Sequence, residues 1–223
     1  MHKYNTGKKY AVYLILAGLL VLALNFDIAT GIDYGFGMGK NEGVEMYAAT
    51  QIVSAFTGRY LHIDVFFDPA GYLLIIAGFV LIGKNMFSNR AVLMAVIGFV
   101  CKLAQLFLPL FVKAESLILP VIVMYLLQIL AAVVIMYSLV GLCTKNIDNY
   151  KYMNIGRDLK FGAELYGVCM LVGKILYLLS RIDWYFAGVL YHIVDITGIA
   201  AVIYFACKLY AYMKQVEMFE EEK

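Results

Sequence analysis

A few ionisable and amide side chains lie inside stretches that are otherwise apolar, and any chemistry this chain performs must run through them. Lys102 and Gln105 are three residues apart, Gln128 follows in the next apolar run, Lys174 in the one after, and His192 and Asp195 are again three apart in the last. A spacing of three puts both members of a pair on one face of a helix. A charge at bilayer depth costs about 3 kcal/mol or more, so it faces a partner or a water-filled cavity. Lysine, aspartate and histidine gathered there have three uses: to hold helices in register, to bind a polar or anionic solute, or to pass a proton. No second His or Cys stands at ligand spacing on the face of His192, which argues against a metal centre. No cofactor is expected.

Enzymatic readings find no support. There is no G-x-S-x-G, no H-E-x-x-H, and no paired acidic motif on one helix. Gly39-Lys40 is followed by Asn41 rather than Ser or Thr, with no glycine at the required distance upstream, so it is not a phosphate loop. Cys101, Cys143, Cys169 and Cys207 fall inside apolar runs without a C-x-x-C, as small buried apolar residues do.

The elements that must position these groups are membrane helices. Of 223 residues, 63% are hydrophobic and only 15% charged, against nearer half and about a quarter in a soluble domain. A net charge of +2, with basic residues dispersed, excludes nucleic acid as a partner. We expect an all-α, single-domain bundle of six spans, at about 10–26, 69–83, 91–112, 116–143, 159–180 and 187–208. Between the first two spans, Asp27 to Gly43 is glycine-rich and acidic and is expected to be a loop. Val44 to Tyr60 has helical periodicity broken by Thr50, Gln51, Ser54 and Thr57, which suits an amphipathic or re-entrant helix rather than a seventh span. Pro109 and Pro120 should flank a tight turn at helix ends, and the chain should finish in an acidic tail.

Basic residues set the expected orientation. With six spans and an inner N-terminus, twelve Lys and Arg lie inside. Four (Lys40, Arg59, Lys113 and Arg181) lie outside, and Lys102 and Lys174 fall within the spans. The expected location is the bilayer of a cell membrane, with both termini cytoplasmic. Lys102, Gln128 and Asp195 then count to mid-depth, with Gln105, Lys174 and His192 about a turn nearer the outside. Together the six are expected to line one polar site in the outer half of the bundle.

Asp68 and Pro69 open the second span as a capping residue and a first-turn proline. Asp64 and Asp68 are expected at the water–lipid boundary, with Phe66, Phe67 and Tyr72 as interfacial aromatics, and Gly71 allowing close helix approach. The run from Ile63 to Ile75 resembles a segment of uncharacterised small multi-pass bacterial membrane proteins, in which I-D-x-x-P-D-x-x-G-Y-I-L-I leads into a span. Ile63, Asp64, Asp68, Gly71 and Tyr72 match, whereas Phe67 stands where that pattern has proline and Pro69 follows the aspartate. That resemblance implies a bacterial inner-membrane location and no activity. Size, expected topology and the long first outer loop are also similar to the six-span substrate-binding subunits of bacterial vitamin uptake systems. The small-residue motif of their first helix is poorly represented by Ala17, Gly18 and Ala23.

Two functions fit: a small-solute binding or transport component, or a non-transporting accessory subunit that presents its loops to another membrane protein. The charge bias makes a direct forecast about threading. Reporter tags fused to the N- and C-termini should both read out from the cytoplasmic side; tags on opposite faces would overturn six-span threading.

Overall fold

The computed structural model describes residues 6–24, 27–33, 52–54, 57, 60–64, 68–145, 153–180 and 185–221. They form six long helices and one short ribbon: α1 (Thr6–Ala23), β1 (Asp27–Asp33), β2 (Tyr60–Asp64), α2 (Asp68–Ile82), α3 (Met86–Phe107), α4 (Ala114–Lys145), α5 (Met153–Ser180) and α6 (Tyr185–Glu221). A 3-10 turn at Leu108–Leu110 links α3 to α4. Each helix packs on the next in chain order, and α6 returns to α1. The bundle is therefore an up-and-down ring with an interior.

Beyond helix boundaries, two local features differ from the sequence expectation. Asp27–Asp33 is not loop but strand, paired antiparallel with Tyr60–Asp64 in the register Asp27↔Asp64, Ile28↔Ile63 and Ala29↔His62. The all-α expectation thus holds for the bundle and needs this ribbon added. Ile28, Thr30 and Ile32 alternate with Ala29 and Gly31, the period-2 pattern of a strand, but the run is short and sits among glycines. Of the expected helix Val44–Tyr60, residues 52–54 and 57 are helical, Tyr60 belongs to β2, and the remainder lies outside the described residues. Val53 is buried against Ala114, Leu117 and Val121 at the start of α4. The second difference is Pro120, which lies inside α4 rather than at its end. A proline there leaves a carbonyl in the preceding turn without its usual donor, which membrane helices tolerate when neighbours or side chains re-satisfy it.

Four stretches are long and apolar enough to cross a membrane: Met86–Leu110, Ala114–Cys143, Gly156–Ser180 and Phe186–Lys214. Tyr10–Ala23 and Asp68–Ile82 are shorter apolar helices. At most 28% of any of the four long spans is buried inside the protein, and large apolar side chains such as Leu119, Val80 and Ile196 are exposed. Such apolar surface suits hydrocarbon, not water; the protein is a membrane protein.

Local signals set the helix ends. Asn85 caps α3, its side chain accepting from the Ser88 N–H at 2.9 Å, so α3 begins at Met86 rather than at Ala91 as expected. Gly83 ends α2 at φ +100°, a conformation that suits glycine. The antiparallel pair α1–α2 packs backbone to backbone: a Cβ on Gly18 would stand 2.5 Å from the Gly71 carbonyl oxygen, and one on Gly78 2.6 Å from that of Ala11.

The interior divides along its length. Most of the largest fully buried side chains (among them Phe79, Ile135, Met136, Leu139, Leu159, Phe205 and Leu209) come from the helix halves remote from the ribbon, while Leu117, Val121 and Val53 form a smaller apolar cluster at the start of α4. Chain direction puts Asp68, Gln105 and Gln128, all buried, in the halves toward it. The remote end is the more apolar, with buried Ser88 and Ser138 among its side chains, and the ribbon end carries Asp68, Gln105 and Gln128.

The glycine contact yields a stability forecast. Gly18→Ala should destabilise the protein by about 1–3 kcal/mol through overpacking, read by thermal unfolding in detergent. Gly173→Ala, whose Cβ would meet Val194 at an ordinary 3.5 Å, should be neutral or slightly stabilising. Equal effects would refute close α1–α2 packing.

Candidate functional site

The site is best built from the first turn of α2. Asp68 begins the helix, as expected of a residue followed by proline, but it does not sit at a water–lipid boundary. It is only 6% exposed, and its carboxylate is ion-paired with the Lys102 ammonium of α3. Fifteen residues make α2 about 22 Å long, against a hydrocarbon core of about 30 Å. A helix that short falls below the length of the hydrocarbon core, and its first residue is turned to a partner on α3. The same pairing corrects the depth of Lys102: it lies level with the start of α2, not at mid-span.

Tyr72, one turn beyond Asp68, is also no interfacial aromatic. It is 4% exposed, in the core, with its ring against the α3 backbone at Gly98, where an added Cβ would fall 2.4 Å from Tyr72 Cε1. Gly71 lies against Gly18 and Leu22 of α1. Asp64, the remaining boundary residue, is in β2 opposite Asp27; Phe66 and Phe67 lie outside the described residues.

Gln105 and Gln128 meet across α3 and α4, the Gln128 Nε2 donating to Gln105 Oε1 at 2.7 Å in a buried setting. Gln105 Nε2 is buried too and has no hydrogen-bond partner among the described residues. Further round the ring, the Lys174 ammonium on α5 lies 4.9 Å from the ring centre of Tyr125 on α4 and 4.8 Å from that of Tyr177. A cation over two ring faces is held by their quadrupoles at the cost of little further desolvation. Tyr177 in turn meets Tyr191 of α6, ring centres 5.2 Å apart.

Asp195 and His192 lie on α6, both exposed. Asp195 is within electrostatic range of His192 and Lys174, of Tyr125, and of the buried Tyr166. Tyr166 is likewise in range of Asp68. Asp195 is one turn from Tyr191, whose ring contacts Tyr177 of α5, so it shares the side of α6 that borders α5. His192 is further out, beside the Tyr191 ring at 5.1 Å.

The six expected residues thus form two groups rather than one cluster. Lys102, Gln105 and Gln128 lie on the α2–α4 side with Asp68, and Lys174, Asp195 and His192 on the α4–α6 side. Tyrosines join them: Tyr72, Tyr125, Tyr166, Tyr177 and Tyr191. Tyr72 was expected as a boundary residue and the other four phenols were not among the expected site residues, although the sequence carries a signal. Asp68/Tyr72, Tyr125/Gln128, Lys174/Tyr177 and Tyr191/Asp195 each place a tyrosine three or four residues from a polar group, hence on its helix face. The whole arrangement, two cations and two carboxylates among phenols, can hold a polar solute by hydrogen bonds and its apolar part by ring contact. Comparison with protein-family models, curated proteins and solved structures found no match.

Breaking a buried ion pair strands the remaining charge. Lys102→Met should therefore cost about 3 kcal/mol of stability, while adding Asp68→Asn to it should recover more than half. Additive losses in this double-mutant cycle, followed by thermal unfolding, would show that the two side chains do not act as a pair.

Proposed function

We propose that this protein is a small-solute binding or transport component of a bacterial inner membrane. It threads six times with both termini in the cytoplasm and takes its solute into the ribbon end of the ring, which faces outward. The positive-inside bias supports this threading, and so does the closed order of the six helices, α1 through α6 and back to α1. The two short helices α1 and α2 are then spans whose ends at the ribbon are covered by protein rather than lipid, as backbone at that depth must be.

One observation carries the reading. Asp195 is exposed nearly three turns into α6, yet it lies one turn from Tyr191, whose ring meets Tyr177 beside the Lys174 ammonium. A carboxylate at that depth facing lipid would be strongly disfavoured; a carboxylate lining a water-filled recess would not. Lys174 on its aromatic seat, Tyr191 and Tyr177 form the near walls of that recess, and Lys102, Gln105 and Gln128 its far side. Paired charges that served only to lock helices would be expected to exclude water, as an accessory subunit without a solute requires.

Thiol accessibility tests this. In protein with Cys207 replaced by serine, Asp195→Cys should react with a charged, membrane-impermeant thiosulfonate reagent added from the extracytoplasmic side. Ile196→Cys, on the 66% exposed neighbouring position, should stay unreactive because lipid covers it. An unreactive cysteine at 195, or equal reaction at both positions, would refute a water-filled recess.

A further inference from the structure

We infer that the recess between α5 and α6 takes a zwitterionic solute of the α-amino acid class. Asp195 receives its ammonium group, Lys174 attracts its carboxylate, and its apolar body lies against Tyr191. This rests on the solute-binding reading above and adds to it a ligand class.

Asp195 sets the ammonium end. It is exposed, and among the described residues no hydrogen bond or ion pair reaches it. An ionised carboxylate at this depth is costly without water or an opposite charge beside it, and its two oxygens accept several donors at once. A primary ammonium brings three N–H groups, and the bonds it makes to a carboxylate are charge-assisted and strong. Tyr191, one turn back on the same side of α6, is only partly buried. Ring surface therefore borders the carboxylate, and a π face favours a cation a second time. His192 meets the Tyr191 ring at 5.1 Å and extends this wall.

Lys174 sets the carboxylate end. Its ammonium lies 4.8 Å from the ring centre of Tyr177, and that ring meets Tyr191 at 5.2 Å. Two rings thus stand between Lys174 and Asp195, which act on each other through space without forming an ion pair. A singly charged solute would leave a net charge in a site walled by hydrocarbon. A zwitterion adds none and meets both charges with their opposites. An α-amino acid carries its ammonium and carboxylate on one carbon, with the side chain left to lie on the rings. Tyr177 and Tyr191 offer that side chain apolar contact and no third charge, which selects an aromatic or aliphatic side chain over a charged one.

The test is a calorimetric titration of the whole protein in lipid nanodiscs at neutral pH, with three probes that share one phenyl ring and chain length. Phenylalanine carries both charges, phenethylamine only the ammonium and hydrocinnamate only the carboxylate. Phenylalanine should bind about tenfold or more tightly than either, since each probe lacks one charge-assisted contact. Asp195→Asn should weaken phenylalanine and phenethylamine by about tenfold or more and leave hydrocinnamate unchanged or tighter. Lys174→Met should weaken phenylalanine and hydrocinnamate and leave phenethylamine unchanged or tighter. Lys174→Arg, which keeps the charge and the ring contact, should retain phenylalanine binding and so separates lost charge from lost fold. Hydrocinnamate binding as tightly as phenylalanine overturns Asp195 as the ammonium anchor, and phenethylamine binding as tightly overturns Lys174 as the carboxylate anchor. Binding of none of the three by a protein whose position 195 is water-accessible overturns the ligand class alone; binding of none without that access overturns the recess as well.

Discussion

The ion pair between Asp68 and Lys102 is the constraint from which the ribbon end of this protein follows. An aspartate and a lysine both withdrawn from water tolerate their burial only together, so α2 must begin at the depth of Lys102 and α3 must lie against it. In the chain, the β1–β2 ribbon stands between the end of α1 and the start of α2. Tyr72 packs on Gly98 and is buried, so the first turn of α2 faces the protein interior.

The other half of the ring is organised mainly by packing. Phe79, Phe205, Ile135 and Leu159 lie in its core, and along α1 and α2 Gly18, Gly71 and Gly78 let the two helices touch through their backbones. In lipid no hydrophobic force drives one apolar helix onto another, so such close van der Waals contact has to hold the ring. Ion pairs and hydrogen bonds at the far end, such as Lys208 with Asp158 at 2.7 Å and Tyr212 with the Cys143 carbonyl at 3.0 Å, tie α6 to α5 and α4.

How far the site could be read in the sequence depended on the kind of signal each residue leaves. Lys102, Gln105, Gln128, Lys174, His192 and Asp195 announce themselves because polar groups within apolar runs are costly. Asp68 did not, since an aspartate before proline at a helix start has an ordinary explanation as a cap, and only its 6% exposure and its partner on α3 reveal a second role. The tyrosines were hidden for a different reason. Eighteen of them are spread over the chain, and a phenol is at home both at a membrane interface and in a core, so type and spacing alone do not say which five converge. The ribbon was masked by its own composition: two short strands among glycines leave little periodicity to detect.

The sequence by itself determined the solvent and the helical repeat. Apolar runs of membrane length, separated by short polar turns, leave no alternative to a helical bundle in hydrocarbon, because only internal hydrogen bonding can satisfy the backbone there. Which helix faces turn inward, which of two tyrosine-flanked charge groups lies at which depth, and that Lys102 finds Asp68 rather than Asp195, were decided by the tertiary structure. The physical reason is that pairing depends on depth and on ring order. A short α2 that starts low, two helices that meet at glycine, and an α6 that returns to α1 set both, and none of these is a property of a local stretch of chain.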